Sequence, residues 1–220
     1  MSKPQTLAEF FGVDEVDFNL VDHEEILQST AHIVIDAQRF FADPDYRHNP
    51  ENPDYFQGGG DAKTDAKSDD IAGLVPKFKD AGLKTGWVYF RNRPHENEDV
   101  YGGFHKVQPD KETDFFSGKS KASPFADQFN DYDENSPFKR MLEEKGINNL
   151  IVSGFNTSGC VYETVKHALK AGFNVCVLTD MTENGGGEDP KLEEKLADMR
   201  EKGAILTDSD SVLATLHNFD

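Results

Sequence analysis

Cysteine 160 sits where a side chain can do chemistry. It follows the tight segment Gly154–Gly159, itself the end of an apolar run, and it opens a stretch with helical spacing. A thiol in that position faces the positive end of a helix dipole and unpaired N–H groups, which are expected to lower its pKa and present thiolate as a nucleophile. Many free cysteines are instead small buried apolar residues, and Cys176, between Val175 and Val177, fits that description. A nucleophilic thiol also needs a base and a cation. No histidine stands out as its partner. Asp36 closes the apolar run AHIVI, on a strand expected to neighbour that of Cys160, and is the best base. Lys119 and Lys121, in SGKSKASPF, could each supply the cation. The ordinary readings are a strand-end carboxylate capping a loop and two solvated surface lysines.

The elements that must position these groups are legible as short apolar runs. Ala31–Ala37, Lys84–Phe90, Asn149–Phe155 and Asn174–Asp180 read as strands buried on both faces, and Ala204–Leu206 as a further short one. Helices are expected after Asp69 as N-cap, with Ile71, Leu74, Val75 and Phe78 at helical spacing, and Pro76 kinking that helix or delaying its start. Others are expected over Pro137–Gly146 behind Ser136, over 159–171, from Pro190 to Lys202 and over Ser209–His217. Residues 43–70, with three glycines at Gly58–Gly60, read as a long loop, and 91–118 as polar and irregular. Residues 1–30 read as an extension with one short helix in TLAEFFG, available for oligomer contacts, and 31–220 as a single domain. Alternating strands and helices predict a mostly parallel sheet of five or six strands between two helical layers, with ligands beyond the carboxyl ends of the strands.

Composition narrows the partners. Among 220 residues, 41 are acidic and 23 basic, a formal net charge of −18. Such a surface repels nucleic acid and anionic membranes. Hydrophobic residues make up 36% and Phe accounts for 17 positions, in compact runs that argue against global disorder. No apolar stretch approaches the roughly 20 residues of a membrane helix. The N-terminal sequence has no basic region followed by an apolar one, and two cysteines make no disulfide framework, so a reduced, cytoplasmic protein is expected.

Taken together, three segments resemble the isochorismatase-like cysteine hydrolase superfamily, which includes isochorismatases, nicotinamidases and N-carbamoylsarcosine amidases. DAQRFF is similar to the family's strand-ending Asp-x-Gln followed by Phe, through Asp36, Gln38 and Phe41. KSKASPF places Lys119 four residues before Ser123 and six before Phe125, a register that favours Lys119 over Lys121. The segment from Gly154 to Asp180 matches the nucleophile motif at Gly154, Thr157, Cys160, Val161, Thr164, Ala168, Gly172 and Asp180. The resemblance spans about residues 31–216 and implies a three-layer α/β/α hydrolase with an Asp36–Lys119–Cys160 triad. It further implies a cis peptide at Phe155–Asn156, an oxyanion hole formed by the N–H groups of Asn156 and Cys160, and a homo-oligomer, dimer or tetramer.

One segment departs from the family. In YFRNRPH, Arg91 and Arg93 stand where nicotinamidases carry metal-binding Asp and His. Two arginines make a poor cation site, and His95 and His105 read as solvated, so no metal and no cofactor is expected. Arg91, Arg93 and Phe41 are candidate substrate contacts, the arginines through bidentate pairing with a carboxylate. Their ordinary reading is surface pairing with Glu96, Glu98 and Asp99. The expected activity is hydrolysis of a C–N bond in a small amide, carbamoyl or ureido substrate through a thioester. The alternatives are a vinyl ether hydrolase of the isochorismatase type and a non-catalytic binding or assembly module on the same fold. An anionic substrate would need local positive charge from Lys119, Arg91 or Arg93 against the overall field; a neutral amide would not.

Overall fold

A computed structural model describes residue 11 and residues 23–46, 59–91 and 101–217. The chain runs α1 (His23–Gln28), β1 (Thr30–Ile35), α2 (Arg39–Ala42), α3 (Ala62–Asp80), β2 (Lys84–Phe90), β3 (Phe115–Lys119) and α4 (Pro137–Glu144). It continues through β4 (Asn149–Phe155), a wide turn over Thr157–Val161, α5 (Tyr162–Lys170), β5 (Asn174–Glu183), α6 (Leu192–Glu201), β6 (Ile205–Thr207) and α7 (Ser209–His217). The described strands form one six-stranded sheet in the order β3-β2-β1-β4-β5-β6, and every pairing in it is parallel.

This order is dictated by burial. All of β1 and all of β4 are buried, so both faces of the central strands need covering. On one face Ala31, Ile33, Ile35, Leu150, Val152, Val175 and Val177 pack against Phe138 and Leu142 of α4, Val165 and Ala168 of α5, and Met199 of α6. On the other face Ile151, Cys176 and Leu178 pack against Leu74 and Phe78 of α3, Val212 and Leu216 of α7, and Ile26 of α1. The three layers follow from that alternation. The chain steps outward from β1 to β2 and β3, then returns to β4 on the other side of β1. The carboxyl ends of β1 and β4 therefore flank the topological switch, where such sheets bind ligands.

Several expectations need correction. Helix α3 begins at Ala62, capped by Asp61 rather than Asp69. The Asp61 carboxylate accepts from the N–H groups of Lys63 and Thr64, and the Thr64 hydroxyl accepts from the Asp61 N–H. This reciprocal box outcompetes any later start, so the stretch expected as loop up to residue 70 is helical from Ala62, and Asp69 pairs with Lys106 from inside the helix at 2.7 Å. Pro76 lies inside α3 without ending it. It sits on the exposed side, where the carbonyl it leaves unpaired can turn to water. The stretch expected to be irregular contains β3. β5 runs to Glu183, and β6 occupies Ile205–Thr207. The TLAEFFG helix lies outside the described residues apart from Phe11, which is buried against the second face.

Side chains close two of the helix starts. Ser136 caps α4 by accepting from the Lys139 N–H. Asp180, in β5, accepts from the Ser209 N–H at 2.9 Å and the Ser209 hydroxyl at 2.6 Å, tying α7 to the sheet. No helix among the described residues is long and apolar enough to cross a membrane.

Candidate active site

Asp36 follows β1 directly and has φ of 51°, in the left-handed region. Asp tolerates that region better than most residues, and its N–H stays in the sheet by donating to Val88 O at 2.8 Å. The turn aims its carboxylate over the end of the sheet, where the residue is fully buried. Close approach of β4 completes the corner. Gly154 has φ of +116°, and a Cβ there would lie 2.0 Å from Ile35 O. Only glycine lets β4 run this close to the strand that carries Asp36.

Lys119 is the last residue of β3 and is 3% exposed. Its Nζ lies 2.8 Å from Asp36 Oδ2. It also donates to the carbonyls of Lys121 and Ala122 and rests 3.5 Å from the centre of the Phe90 ring. The side chain thus exchanges water for an ion pair, two carbonyls and an aromatic face. Lys121 contributes its carbonyl to this arrangement.

Cys160 lies in the wide turn between β4 and α5 and is partly exposed. Within that turn Gly159 leaves helical geometry, with φ of −111° and ψ of −106°. The Phe155–Asn156 peptide bond is cis. The thiol lies close enough to feel both the Asp36 and the Lys119 charges. Asp36, Lys119 and Cys160 therefore meet at the switch point, although they come from three strand ends.

The electrostatics depart from the sequence expectation for the thiol. Its pKa is pushed up to about 12 instead of being lowered, by burial first and by the Asp36 charge next, against the opposing pull of Lys119. Burial also raises Asp36, and Lys119 partly offsets the rise. A resting site of this kind holds a thiol beside a carboxylate–ammonium pair, and thiolate forms only as its proton moves to Asp36. Cys176 is fully buried among core residues, and its thiol is also shifted upward by burial.

Gln38 does more than complete a motif. Its Oε1 accepts from the Phe90 N–H at 2.8 Å, and its Nε2 donates to Phe90 O at 3.0 Å and Gly102 O at 3.3 Å. The amide takes the place of β1 beside β2 once β1 has turned away at Asp36. Phe41 is buried and lies 5.6 Å from the Phe90 ring, which stacks on Tyr101 at 5.0 Å. These rings form a wall one layer behind Lys119.

The structure does not bring Arg91 to the three residues. Arg91 is exposed, and its Cδ would lie 3.2 Å from a Cβ at Gly118. Its stem therefore runs over the strand side opposite Lys119. Arg93 and His95 lie outside the described residues. His105 is not a solvated loop residue: its Nε2 lies 2.7 Å from Asp65 Oδ1, and its side chain is 14% exposed. Among the described residues no three His, Cys, Asp or Glu side chains are arranged to hold a metal ion.

Two polar residues that hold the turn carrying Cys160 were not anticipated. The Ser158 N–H and hydroxyl both donate to Asn184 Oδ1, each at 3.0 Å. The only sequence signal for Asn184 is its position just past the carboxyl end of β5.

The model of the isochorismatase domain family matches residues 30–211. No curated protein sequence matches the chain. Among solved structures, a cysteine hydrolase from Pseudomonas syringae pv. phaseolicola 1448A is 15% identical, with a TM-score of 0.66 over 86% of this chain and 93% of that one. A pyrazinamidase of Pyrococcus horikoshii in complex with zinc is 19% identical, with a TM-score of 0.62 over 82% and 99%. A nicotinamidase pyrazinamidase from Acinetobacter baumanii is 18% identical, with a TM-score of 0.61 over 84% and 98%. At these identities the structural likeness establishes the fold.

Proposed function

Because this chain belongs to the isochorismatase family of hydrolases, we propose that it hydrolyses a C–N bond in a small amide, carbamoyl or ureido compound, with Cys160 as nucleophile, Asp36 as general base and acid, and Lys119 as the cation that holds Asp36. The observation carrying this reading is the buried pair in which Lys119 Nζ lies 2.8 Å from Asp36 Oδ2, with the Cys160 thiol close enough to feel both charges.

Asp36 takes the thiol proton as Sγ attacks the carbonyl carbon. The carbonyl oxygen gains the electron pair and is held by the N–H groups of Asn156 and Cys160. As the intermediate collapses, the C–N bond breaks and Asp36 gives its proton to the departing nitrogen, leaving ammonia or an amine and a thioester. Asp36 then takes a proton from water, whose oxygen attacks the thioester carbon. The C–S bond breaks, the proton returns to sulfur, and an acid or carbamate departs.

A buried cluster in which Lys119 is already paired with Asp36 favours a neutral substrate over an anionic one. The zinc of the Pyrococcus pyrazinamidase belongs to that protein. The described residues here do not form a site for it, and the chemistry proposed runs through the thiol. The test is ammonia or amine release from a panel of amides, carbamates and ureides. Turnover of at least one class by the wild type, abolished in Cys160→Ala, is the expected result. Full activity of Cys160→Ala on a vinyl ether, with none on the panel, would replace this reading with proton-transfer chemistry at Asp36.

A further inference from the structure

The turn that carries Cys160 is held from outside itself. Asn184 and Ser158 are each 7% exposed. Asn184 Oδ1 accepts both the Ser158 N–H and the Ser158 hydroxyl at 3.0 Å. The side chains are also exchanged in the other direction, because Asn156 Oδ1 accepts the Gly185 N–H at 2.9 Å. Lys195, from α6, donates to Ser158 O. Residues 184–195 therefore grip both Asn156 and Ser158, two positions that alternate along the turn leading to Cys160.

The grip has a second jaw. A Cβ at Gly185 would lie 1.9 Å from Gly59 O and 3.3 Å from Phe41 O. Glycine at 185 thus lets the loop after β5 press directly on the backbone of the glycine-rich segment and of α2 while its N–H reaches Asn156. A turn that contains non-helical Gly159 has little stiffness of its own, yet N–H groups that stabilise an oxyanion work only when fixed before the charge develops.

We propose that Asn184 and Gly185 are positioning residues of the thiol site: their hydrogen bonds to Ser158 and Asn156 fix the donor geometry at Asn156 and Cys160, so the loop after β5 and not β4 alone sets oxyanion stabilisation. This rests on the reading of Cys160 as the nucleophile of a carbonyl-directed reaction. Neither residue touches the reacting atoms.

The experiment separates attack on carbon without an oxyanion from attack that creates one. Iodoacetamide alkylates the thiol by displacing iodide. Acetaldehyde adds it reversibly, forming a C–S bond while its oxygen becomes the thiohemiacetal hydroxyl or alkoxide, and so protects Cys160 from iodoacetamide. Alkylation of the Cys160 peptide is followed by mass spectrometry over a range of acetaldehyde concentrations. In Asn184→Ala the unprotected alkylation rate is expected to stay within about 3-fold of wild type, while the protection constant weakens about 10- to 100-fold. Asn184→Asp keeps an acceptor for both Ser158 donors, and its protection constant is expected within about 5-fold of wild type. If circular dichroism shows that Asn184→Ala is unfolded, Asn184→Ser makes a smaller cut and carries the same expectation. A protection constant unchanged in a folded Asn184→Ala or Asn184→Ser variant overturns the positioning role alone. Absence of protection in the wild type overturns the carbonyl-directed reading on which it rests.

Discussion

Lys119 Nζ and Asp36 Oδ2 lie 2.8 Å apart across a strand that separates their own. Lys119 ends β3 and Asp36 follows β1, with β2 between them. In register, Lys119 is opposite Phe90 and Val88 is opposite Ile35. The lysine therefore reaches over the end of β2, across the face of Phe90, to meet the carboxylate. The pair is a tertiary product of three strands ending at staggered heights.

This relationship sets the acid limb of the pH–rate profile. Asp36 must be ionised to accept the thiol proton, so kcat/KM should rise with pH through its pKa, which burial places above the ordinary carboxylate value. Lys119 is the main group opposing that rise. Lys119→Ala should therefore move the acid limb to higher pH, and Asp36→Asn should reduce kcat about 100- to 10,000-fold with no acid limb left. Profiles on the best substrate from the amide panel check both. An unmoved limb in Lys119→Ala would mean that another group titrates.

The same charges predict that losing catalysis will expose the thiol. The Asp36 charge is one of the causes that raise Cys160 to about 12. In Asp36→Asn that cause disappears while Lys119 stays, so the thiol pKa falls, and each unit of fall means about tenfold more thiolate at neutral pH. Iodoacetamide should alkylate Cys160 faster in this inactive variant than in the wild type, and Cys176 should stay unmodified in both because it is fully buried. Mass spectrometry of the two peptides over time measures this. Slower labelling of Cys160 in Asp36→Asn would contradict the sign of the coupling.

Which parts of this site could be read from sequence depends on how local their causes are. β2 and β4 were legible to the residue because each centres on a compact apolar run, WVYF in β2 and LIV in β4. β3 was not, because FFSGK is a five-residue edge strand with only two bulky residues and a glycine. The capping box was written in the sequence as Asp61–Thr64, but the later apolar residues Ile71 and Leu74 drew the expected start forward to Asp69. Asp36 and Cys160 were visible as strand-end residues, whereas the choice of Lys119 over Lys121 needed the family resemblance. The direction of the thiol pKa shift was not readable, because the helix-terminus argument is local and burial beside Asp36 is not. Asn184 was missed for the same reason, since its contacts lie 26 residues away in the chain.

The close approach at Gly154 should be intolerant of any side chain. Its φ is +116°, and an added Cβ would sit 2.0 Å from Ile35 O, which belongs to a buried backbone with no room to move. Gly154→Ala combines that clash with left-handed strain, and a loss of about 3–5 kcal/mol in unfolding free energy is expected. Denaturant unfolding followed by circular dichroism gives the value. A loss under about 1 kcal/mol would show that β1 and β4 can part at this point without cost.

Gln38 should prove a stability residue with a pH signature once its donor is removed. It is 4% exposed, and its amide satisfies both the N–H and the carbonyl of Phe90. In Gln38→Ala both groups lose their partner, for about 2–4 kcal/mol. Gln38→Glu keeps the acceptor for the Phe90 N–H but sets a carboxylate against the carbonyls of Phe90 and Gly102, so ionisation is penalised and the folded-state pKa of the new side chain rises. A raised acid pKa means stability regained as pH falls through it, because the protonated acid can again donate to Phe90 O. The melting temperature of Gln38→Glu should therefore approach that of the wild type as the pH is lowered from 8 toward about 5, whereas that of Gln38→Ala should not. Since Phe90 is in register with Lys119, both variants should also lose about tenfold in kcat at neutral pH through displacement of the ammonium. A Gln38→Glu protein whose melting deficit is independent of pH would show that the Phe90 carbonyl does not need the amide donor.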